Sequence, residues 1–163
     1  MSTLDIILRL GVAALAGAIL GFNRDMHGKP TGIRTLGLVS LGVAIATVGV
    51  LTTDVALNST DAYSRILQGI VQGVLTGIGF LGGGVILRNP RAQAVHNLTT
   101  AATVWVTSAI GIVCAVANWK VIGIGMAMAV ALLLIGDRFD KWIARHYPES
   151  GSAEERKTDR PQE

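Results

Sequence analysis

The chain carries at residues 69–87 the sequence GIVQGVLTGIGFLGGGVIL, which is long and apolar enough to cross a bilayer as a helix. Within it, Gly69, Gly73 and Gly77 recur every four residues and would form one smooth ridge on a helix. Each glycine lowers helix stability by about 1 kcal/mol relative to alanine. In lipid, such ridges let two backbones approach closely. We therefore expect this helix to be the centre of a compact membrane bundle, packed tightly against a neighbour.

The composition of the whole chain is that of a membrane protein. Of its 163 residues, 50% are hydrophobic and only 15% are charged, whereas soluble domains carry about 25% charged residues. The net charge is +3, and the charged residues lie at the ends of apolar runs. This placement indicates that they orient the chain in a membrane and does not favour nucleic-acid binding. The single cysteine, Cys114, excludes an intrachain disulfide and a cysteine-based metal cluster.

Five apolar runs predict an all-α membrane protein built as a compact bundle of five transmembrane helices. These runs are residues 4–22, 33–51, 66–87, 98–117 and 121–135. The fifth is short, and we expect it to continue as an interfacial turn through residues 138–145. Residues 1–147 would form one transmembrane domain, followed by a disordered cytoplasmic tail at residues 148–163, which are polar and aperiodic.

The basic residues predict the orientation of the bundle. Eleven of the 14 lysines and arginines fall in the first loop, the third loop and the tail, and only Arg9, Arg65 and Lys120 fall on the other side. The positive-inside rule then places the N-terminus outside and the C-terminus in the cytoplasm. In the first run, Asp5 and Arg9 are spaced as a favourable helix ion pair, and Gly17 and Gly21 form a second close-packing face.

The glycines after residue 76 admit several interpretations. Residues 77–82 match the dinucleotide-binding pattern GxGxxG, but they lie inside an apolar span with no acid about 20 residues later, so we reject a nucleotide site. The triplet Gly82–Gly84 could instead interrupt the helix, since irregular backbone at membrane depth needs protein or a water-filled cavity around it. The sequence leaves open a break here or a tightly packed helix end.

Two polar lines accompany the third and fourth runs. The first follows the glycine ridge one residue behind, at Gln68, Gln72 and Thr76. The second lies at the start and along one face of the fourth run, at Asn97, Thr99, Thr100, Thr103 and Thr107. The threonines could bond back to their own carbonyls four residues earlier, or bond across to the glutamines and form a polar seam. Such a seam would favour a small-solute or ion transporter or channel, with Mg²⁺ as one candidate.

The first loop holds the densest charged cluster of the chain. Its charged candidates are Arg24, Asp25, Lys29 and Arg34. They form either a solvated loop that obeys the orientation rule or a site for anionic lipid headgroups or a partner, with Asp25 pairing one base. No metal-ligand spacing, no nucleophile beside a base and no intramembrane acid pair is present. We therefore expect no catalytic residue, no metal site and no cofactor, and a protein that is not an enzyme.

Three segments together resemble the MgtC/SapB family of bacterial inner-membrane proteins. They are GFNRD at residues 21–25 with KPTGIRT at 29–35 and LVSLG at 38–42, GIGFLGGGVIL at 77–87, and NLTTAATVW at 97–105. The resemblance covers residues 4–140. The family usually has glutamate where Asn23 stands, histidine where Leu36 stands, and glycine where Asn97 stands, so Asp25 is the only carboxylate of the first motif.

The resemblance implies a multi-pass protein of the bacterial inner membrane that is linked to low magnesium and to survival inside host phagocytes, and thus to virulence. It implies a regulator of other membrane machinery and of membrane potential, with the F-type ATP synthase as a candidate partner. From the glycine ridges we also expect a homo-oligomer in the lipid bilayer, with a dimer favoured. We expect no nucleic-acid partner. The functional candidates are Arg24, Asp25, Lys29, Arg34, Gln72, Gly73, Thr76, Gly77, Asn97, Thr99, Thr100 and Thr103.

Overall fold

The computed structural model describes residues 1–29, 31–53, 59–86 and 97–146, with the side chains of 137 and 139–146 left out. Within these residues the chain is all-helical. The helices are α1 (Thr3–Met26), α2 (Ile33–Leu51), α3 (Thr60–Ile86), α4 (Leu98–Val116) and α5 (Trp119–His146). Each contains a stretch long and apolar enough to cross a membrane, which confirms the predicted fold class with five spanning helices. The orientation of the bundle stays a prediction, and the predicted tail at residues 148–163 lies outside the described residues.

The structure shows which alternative holds at Gly82–Gly84, and one local expectation, the turn at residues 138–145, was wrong. The helix α3 continues without a break through Gly82–Gly84. Gly82 packs close to Ala101, since a Cβ added at Gly82 would lie 3.4 Å from the Ala101 Cβ. The last helix also continues through residues 138–145 to His146 instead of forming a turn. The helix α3 begins six residues before its apolar run, because the Ser59 hydroxyl accepts the Ala62 N–H at 3.3 Å and caps the first turn.

The chain divides into two compact units, Met1–Val130 and Ala131–Glu163. In the first unit, α4 contacts α1, α2 and α3, and 56% of its apolar window is buried, against 11% for α3. The buried residues of α3 are limited to Ile78 and Gly82. The central helix is therefore α4, and the expectation that the glycine-rich α3 is the centre was wrong. In the second unit, the described residues are the C-terminal part of α5.

The helix α1 shows how this membrane protein distributes its side chains. Its buried face is made mostly of small residues: Ala13, Ala16, Gly17, Leu20, Gly21 and Arg24. Its exposed face carries large apolar residues: Leu4, Leu8, Leu15, Ile19, Phe22 and Met26. Lipid solvates large apolar side chains as well as protein does, so close backbone approach at small residues is what holds the helices together.

Close approach is visible where α1 and α4 meet α2. A Cβ at Gly17 would overlap the Leu36 carbonyl, and one at Gly21 would lie 2.6 Å from the Ile33 Cα. On α4, a Cβ at Gly111 would lie 2.5 Å from the Ser40 carbonyl oxygen. The predicted close-packing face of α1 is thus confirmed, and Gly111 provides the matching contact on α4.

The glycine ridge of α3 has no such neighbour among the residues that the structure describes. An added Cβ at Gly69, Gly73 or Gly77 would meet nothing within 4 Å, and all three residues are exposed. Ile78, which is buried, lies on the opposite side of the helix from Gly69, because nine residues correspond to two and a half turns. The ridge therefore faces away from the described helices, and the expectation that it packs tightly at the centre of the bundle was wrong.

Candidate functional site

The end of α1 and the start of α4 meet at the side chain of Arg24, which is 1% exposed. Its Nη1 donates to the Thr103 hydroxyl at 3.3 Å, and its Nη2 donates to the Thr100 hydroxyl. Thr100 and Thr103 are three residues apart on a helix and so share a face. The planar guanidinium presents several donors in a fixed fork, which suits two neighbouring hydroxyls. We call Arg24, Thr100 and Thr103 the arginine clasp.

The threonines of α4 are prepared for this contact by their own backbone. Thr103 donates its hydroxyl hydrogen to the Thr99 carbonyl at 2.6 Å, so its oxygen is left to accept from Arg24. Thr107 bonds back in the same way to the Thr103 carbonyl at 2.7 Å. Back-bonding, one of the two alternatives left open by the sequence, is thus confirmed for Thr103 and Thr107. Thr99 contributes its carbonyl, while its side chain is exposed.

Asp25, the residue after Arg24, organises the start of α2. Its Oδ2 accepts the N–H of Ile33 at 2.9 Å, which satisfies one of the unpaired N–H groups of the first turn and places negative charge at the positive end of the helix dipole. A Cβ at Gly32 would overlap the Asp25 carboxylate, so a side chain at this position would displace the carboxylate from its capping bond. The first-loop motif is therefore a capping unit, joined through Arg24 to α4.

The other charged candidates of the first loop have different surroundings. Lys29 is half-buried, and its backbone N–H donates to the Arg24 carbonyl at 3.0 Å, which closes the end of α1. Arg34 is exposed in the first turn of α2. Of the three bases, Arg24 alone has its side chain buried.

The candidates on α3 lie away from the arginine clasp. Gln72, Gly73, Thr76 and Gly77 are all exposed on the outward face of that helix. The Thr103 hydroxyl is occupied by Arg24 and by the Thr99 carbonyl. The polar seam between the third and fourth spans, the other alternative that the sequence left open, is therefore not formed between these residues, and the transporter hypothesis loses the path on which it depended.

A second polar contact joins α1 to the other end of α4. Arg9 pairs with Asp5 at 3.0 Å, which confirms the predicted ion pair, and its Nη1 also donates to the Ala115 carbonyl at 2.6 Å. The carbonyls of the last turn of a helix have no partner within the helix, so Arg9 satisfies one of them. No sequence pattern indicates the Ala115 contact, because the two residues are 106 positions apart.

Ser40 is a residue of the core that sequence reasoning missed. It is fully buried, and its hydroxyl has no hydrogen-bond partner in the part of the chain that the structure describes. Added Cβ atoms at Gly17 and Gly111 would both come within 3 Å of Ser40 atoms. Ser40 therefore acts through its small size, at the point where α1, α2 and α4 approach most closely.

A comparison with protein-family models matches residues 10–142 to the model described as the MgtC family, and this match includes the clasp and Asp25. The chain belongs to the MgtC family. Members of the MgtC family are inner-membrane proteins, and with its five apolar spanning helices this chain is a multi-pass protein of the bacterial inner membrane. One relative, YhiD of Escherichia coli, is named a putative magnesium transporter.

Several curated MgtC relatives resemble the chain over most of its length. Protein SrpB of Synechococcus elongatus is 40% identical over 72% of this chain and 66% of its own length. Protein MgtC of Salmonella typhimurium is 40% identical over 70% and 45%, and Protein SapB of Bacillus subtilis is 29% identical over 86% and 59%. The chain thus spans about half to two thirds of these relatives. No solved structure gives a significant match.

Two departures from the MgtC family pattern have a structural account. Asn97, where the pattern has glycine, precedes α4 with φ 72°, a left-handed conformation that glycine adopts freely and asparagine tolerates. Leu36, where the pattern has histidine, is fully buried beside Gly17. The Asn97 side chain makes no capping bond to α4. Asn97 therefore contributes to the start of α4 through its left-handed backbone conformation.

The described residues also contain no group of three or more histidine, cysteine, aspartate or glutamate side chains placed to hold a metal ion. The absence of a metal site and of a cofactor stays a prediction for the whole chain.

Proposed function

We propose that this chain is a non-enzymatic inner-membrane regulator that acts through contacts between its helices and those of membrane partners. The observation that carries the proposal is the outward face of α3. In α1, small residues face protein and large apolar residues face lipid. In α3 the small residues Gly69, Gly73 and Gly77 are exposed instead, with nothing within 4 Å of an added Cβ. A face of this composition is suited to another protein surface in the membrane.

The physiological part of the proposal comes from the family resemblance. The regulator would serve adaptation to low magnesium and survival inside host phagocytes. It would act on membrane potential through a membrane protein such as the F-type ATP synthase. The arginine clasp supports this indirectly, because it bonds the end of α1 to the start of α4, the helix on which α3 packs.

The packing of the described core favours a regulator over a transporter. The contact between α1, α2 and α4 is so close that neither Gly17 nor Gly111 has room for a methyl group. The polar residues that would have lined a path between α3 and α4 do not meet, since Gln72 and Thr76 are exposed. A permeation route within these four helices would need large rearrangements of a close-packed core.

The proposal is tested by complementation of growth at low magnesium in a strain that lacks the chain. Gly73→Leu fills the outward face of α3 and should abolish complementation. Gly42→Leu is the matched control, because Gly42 on α2 is also exposed with nothing within 4 Å of an added Cβ. Full complementation by Gly73→Leu would contradict the proposal. So would rapid Mg²⁺ flux through the purified protein in liposomes.

A further inference from the structure

Ser40 departs from a pattern that four other buried hydroxyls of the bundle follow. These four donate to a backbone carbonyl three or four residues earlier in their own helix, at Thr47, Thr103, Thr107 and Ser108. The Ser40 hydroxyl is buried as deeply, but it has no hydrogen-bond partner within the described residues. An unpaired hydroxyl in apolar surroundings is costly, because nothing replaces the bonds that it would make to water. The packed arrangement of the helices therefore contains a destabilising element at Ser40.

The contact between α1 and α2 accounts for this exception. The carbonyl four residues before Ser40 is that of Leu36, which is the equivalent of the Val43 carbonyl that accepts the Thr47 hydroxyl at 2.8 Å. The backbone of α1 lies against this acceptor, since a Cβ at Gly17 would overlap the Leu36 carbonyl. The same added Cβ would lie 2.9 Å from the Ser40 Cβ. The close approach of α1 therefore occupies the space around the carbonyl that the Ser40 hydroxyl would use.

We propose that Ser40 biases the bundle toward a second, looser arrangement in which α2 has moved away from its neighbours. There the Leu36 carbonyl is accessible, and the Ser40 hydroxyl bonds to it in the way that Thr47 already bonds within α2. The looser arrangement gains a hydrogen bond that the packed one lacks, which offsets part of the packing lost at the glycine contacts. This inference concerns motion within the chain and goes beyond the proposed function.

The element that moves is α2. The helices α1 and α4 bond to each other at both ends, through Arg24 at one end and Arg9 at the other. The helix α2 meets them at glycines, Gly17 on α1 and Gly111 on α4. The bond from the Ile33 N–H to the loop carboxylate holds the start of α2 in place. Motion of α2 about this start changes the packing around the serine while the pair of α1 and α4 stays intact.

Reversible unfolding of the purified full chain in mixed micelles isolates the effect of the hydroxyl. Ser40→Ala removes the unpaired group without enlarging the side chain, so it should lower the unfolding equilibrium constant about tenfold. Ser108→Ala is the matched control, because Ser108 is also fully buried but its hydroxyl donates to the Trp105 carbonyl at 2.7 Å. Both substitutions change helix propensity equally, and Ser108→Ala should not stabilise the chain by this factor. Equal effects of the two substitutions would overturn the proposal.

A second measurement addresses the motion of α2 directly. In a Cys114→Ala background, spin labels are attached to cysteines at Leu15 on α1 and Ile45 on α2, which are both exposed. The protein is reconstituted in phosphatidylethanolamine–phosphatidylglycerol vesicles, and electron paramagnetic resonance gives the distribution of distances between the labels. Two distances are expected, and Ser40→Ala should reduce the population of the longer one about tenfold relative to the shorter.

A label pair between α1 and α4 is the control for this distance measurement. Labels at Leu15 and at Trp105, which is exposed on α4, should give one distance, because these two helices are bonded at both ends. A single distance between α1 and α2 that Ser40→Ala leaves unchanged would overturn the proposed motion. Two distances in the control pair as well would also overturn it, since the moving element would then not be α2.

Discussion

Replacement of Arg24 by alanine should destabilise the bundle by about 2–4 kcal/mol. The substitution removes two hydrogen bonds from a charged donor, each worth about 1.5–3 kcal/mol, to Thr100 and Thr103. It also leaves a cavity where a long side chain that is 1% exposed was packed. Release of the buried guanidinium to solvent in the unfolded state opposes these losses by several kcal/mol, so the net effect is smaller than their sum.

The two threonines should respond differently to this loss. Thr103 keeps its bond to the Thr99 carbonyl, whereas the Thr100 hydroxyl, which is 2% exposed, loses its bond to the guanidinium. A double-mutant cycle of Arg24→Ala with Thr100→Val should therefore give a coupling energy of about 1 kcal/mol or more. Arg24→Lys should lie between wild type and alanine, because a single ammonium does not reproduce the planar fork.

Reversible unfolding with dodecyl sulfate in mixed micelles, followed by circular dichroism, measures these free energies. Arg34→Ala is the control, since Arg34 belongs to the same loop motif but is exposed, and it should change stability by less than about 0.5 kcal/mol. The reasoning is refuted if Arg24→Ala falls within the same limit, or if the two alanine variants lose equal stability.

Three further predictions use the same unfolding measurement. Gly17→Ala should destabilise by about 1–3 kcal/mol because its Cβ overlaps the neighbouring helix, whereas Gly11→Ala, with open space around it, should stabilise by up to about 1 kcal/mol; equal signs would contradict the packing. Gly32→Ala should lose about 1–2 kcal/mol and speed amide exchange at the start of α2, since it displaces the capping carboxylate; unchanged exchange would contradict this. Arg9→Met should lower the free energy of unfolding by about 1–2 kcal/mol, because it removes the hydrogen bond to the Ala115 carbonyl. A neutral effect would show that this bond is not formed.

Hydropathy was sufficient to predict five spanning helices but not to predict which helix is central. Residues of α3 and α4 have similar mean hydropathy, 1.6 and 1.7 over their apolar windows. The difference between them is the number of helices that each contacts, which depends on long-range packing. Gly73 and Gly111 illustrate this, because each stands among apolar residues, yet one is open and the other is pressed against Ser40. Small residues indicate a close-packing face without indicating whether its partner is in the same chain.

The sequence predicted which residues belong to the candidate site, but not which of them bond to each other. Periodicity placed Thr103 and Thr107 on one face of a helix, and charge placed Arg24 in the first loop. Neither signal states which face meets which loop. The sequence therefore left Thr103 with back-bonding or a bond to the glutamines, and it did not indicate Arg24, its partner 79 residues earlier. The ion pair of Asp5 with Arg9 was predictable because helix geometry alone brings residues four apart together. Contacts set by local geometry were recovered, and contacts set by tertiary packing were not.

The energetics of α3 make permanent exposure of its outward face to lipid difficult to sustain. Three glycines lower the stability of the helix by about 3 kcal/mol relative to alanine, at about 1 kcal/mol each. An amide left unpaired within the apolar run, such as that of Gln72, adds about 2 kcal/mol or more. Together these losses amount to a large fraction of the 5–15 kcal/mol that stabilises a typical domain. In α1 the same kind of loss at Gly17 and Gly21 is offset by contact with α2. The contacts of α3 with the other described helices lie on its opposite side, around Ile78 and Gly82, so none of them offsets the loss at the glycine ridge.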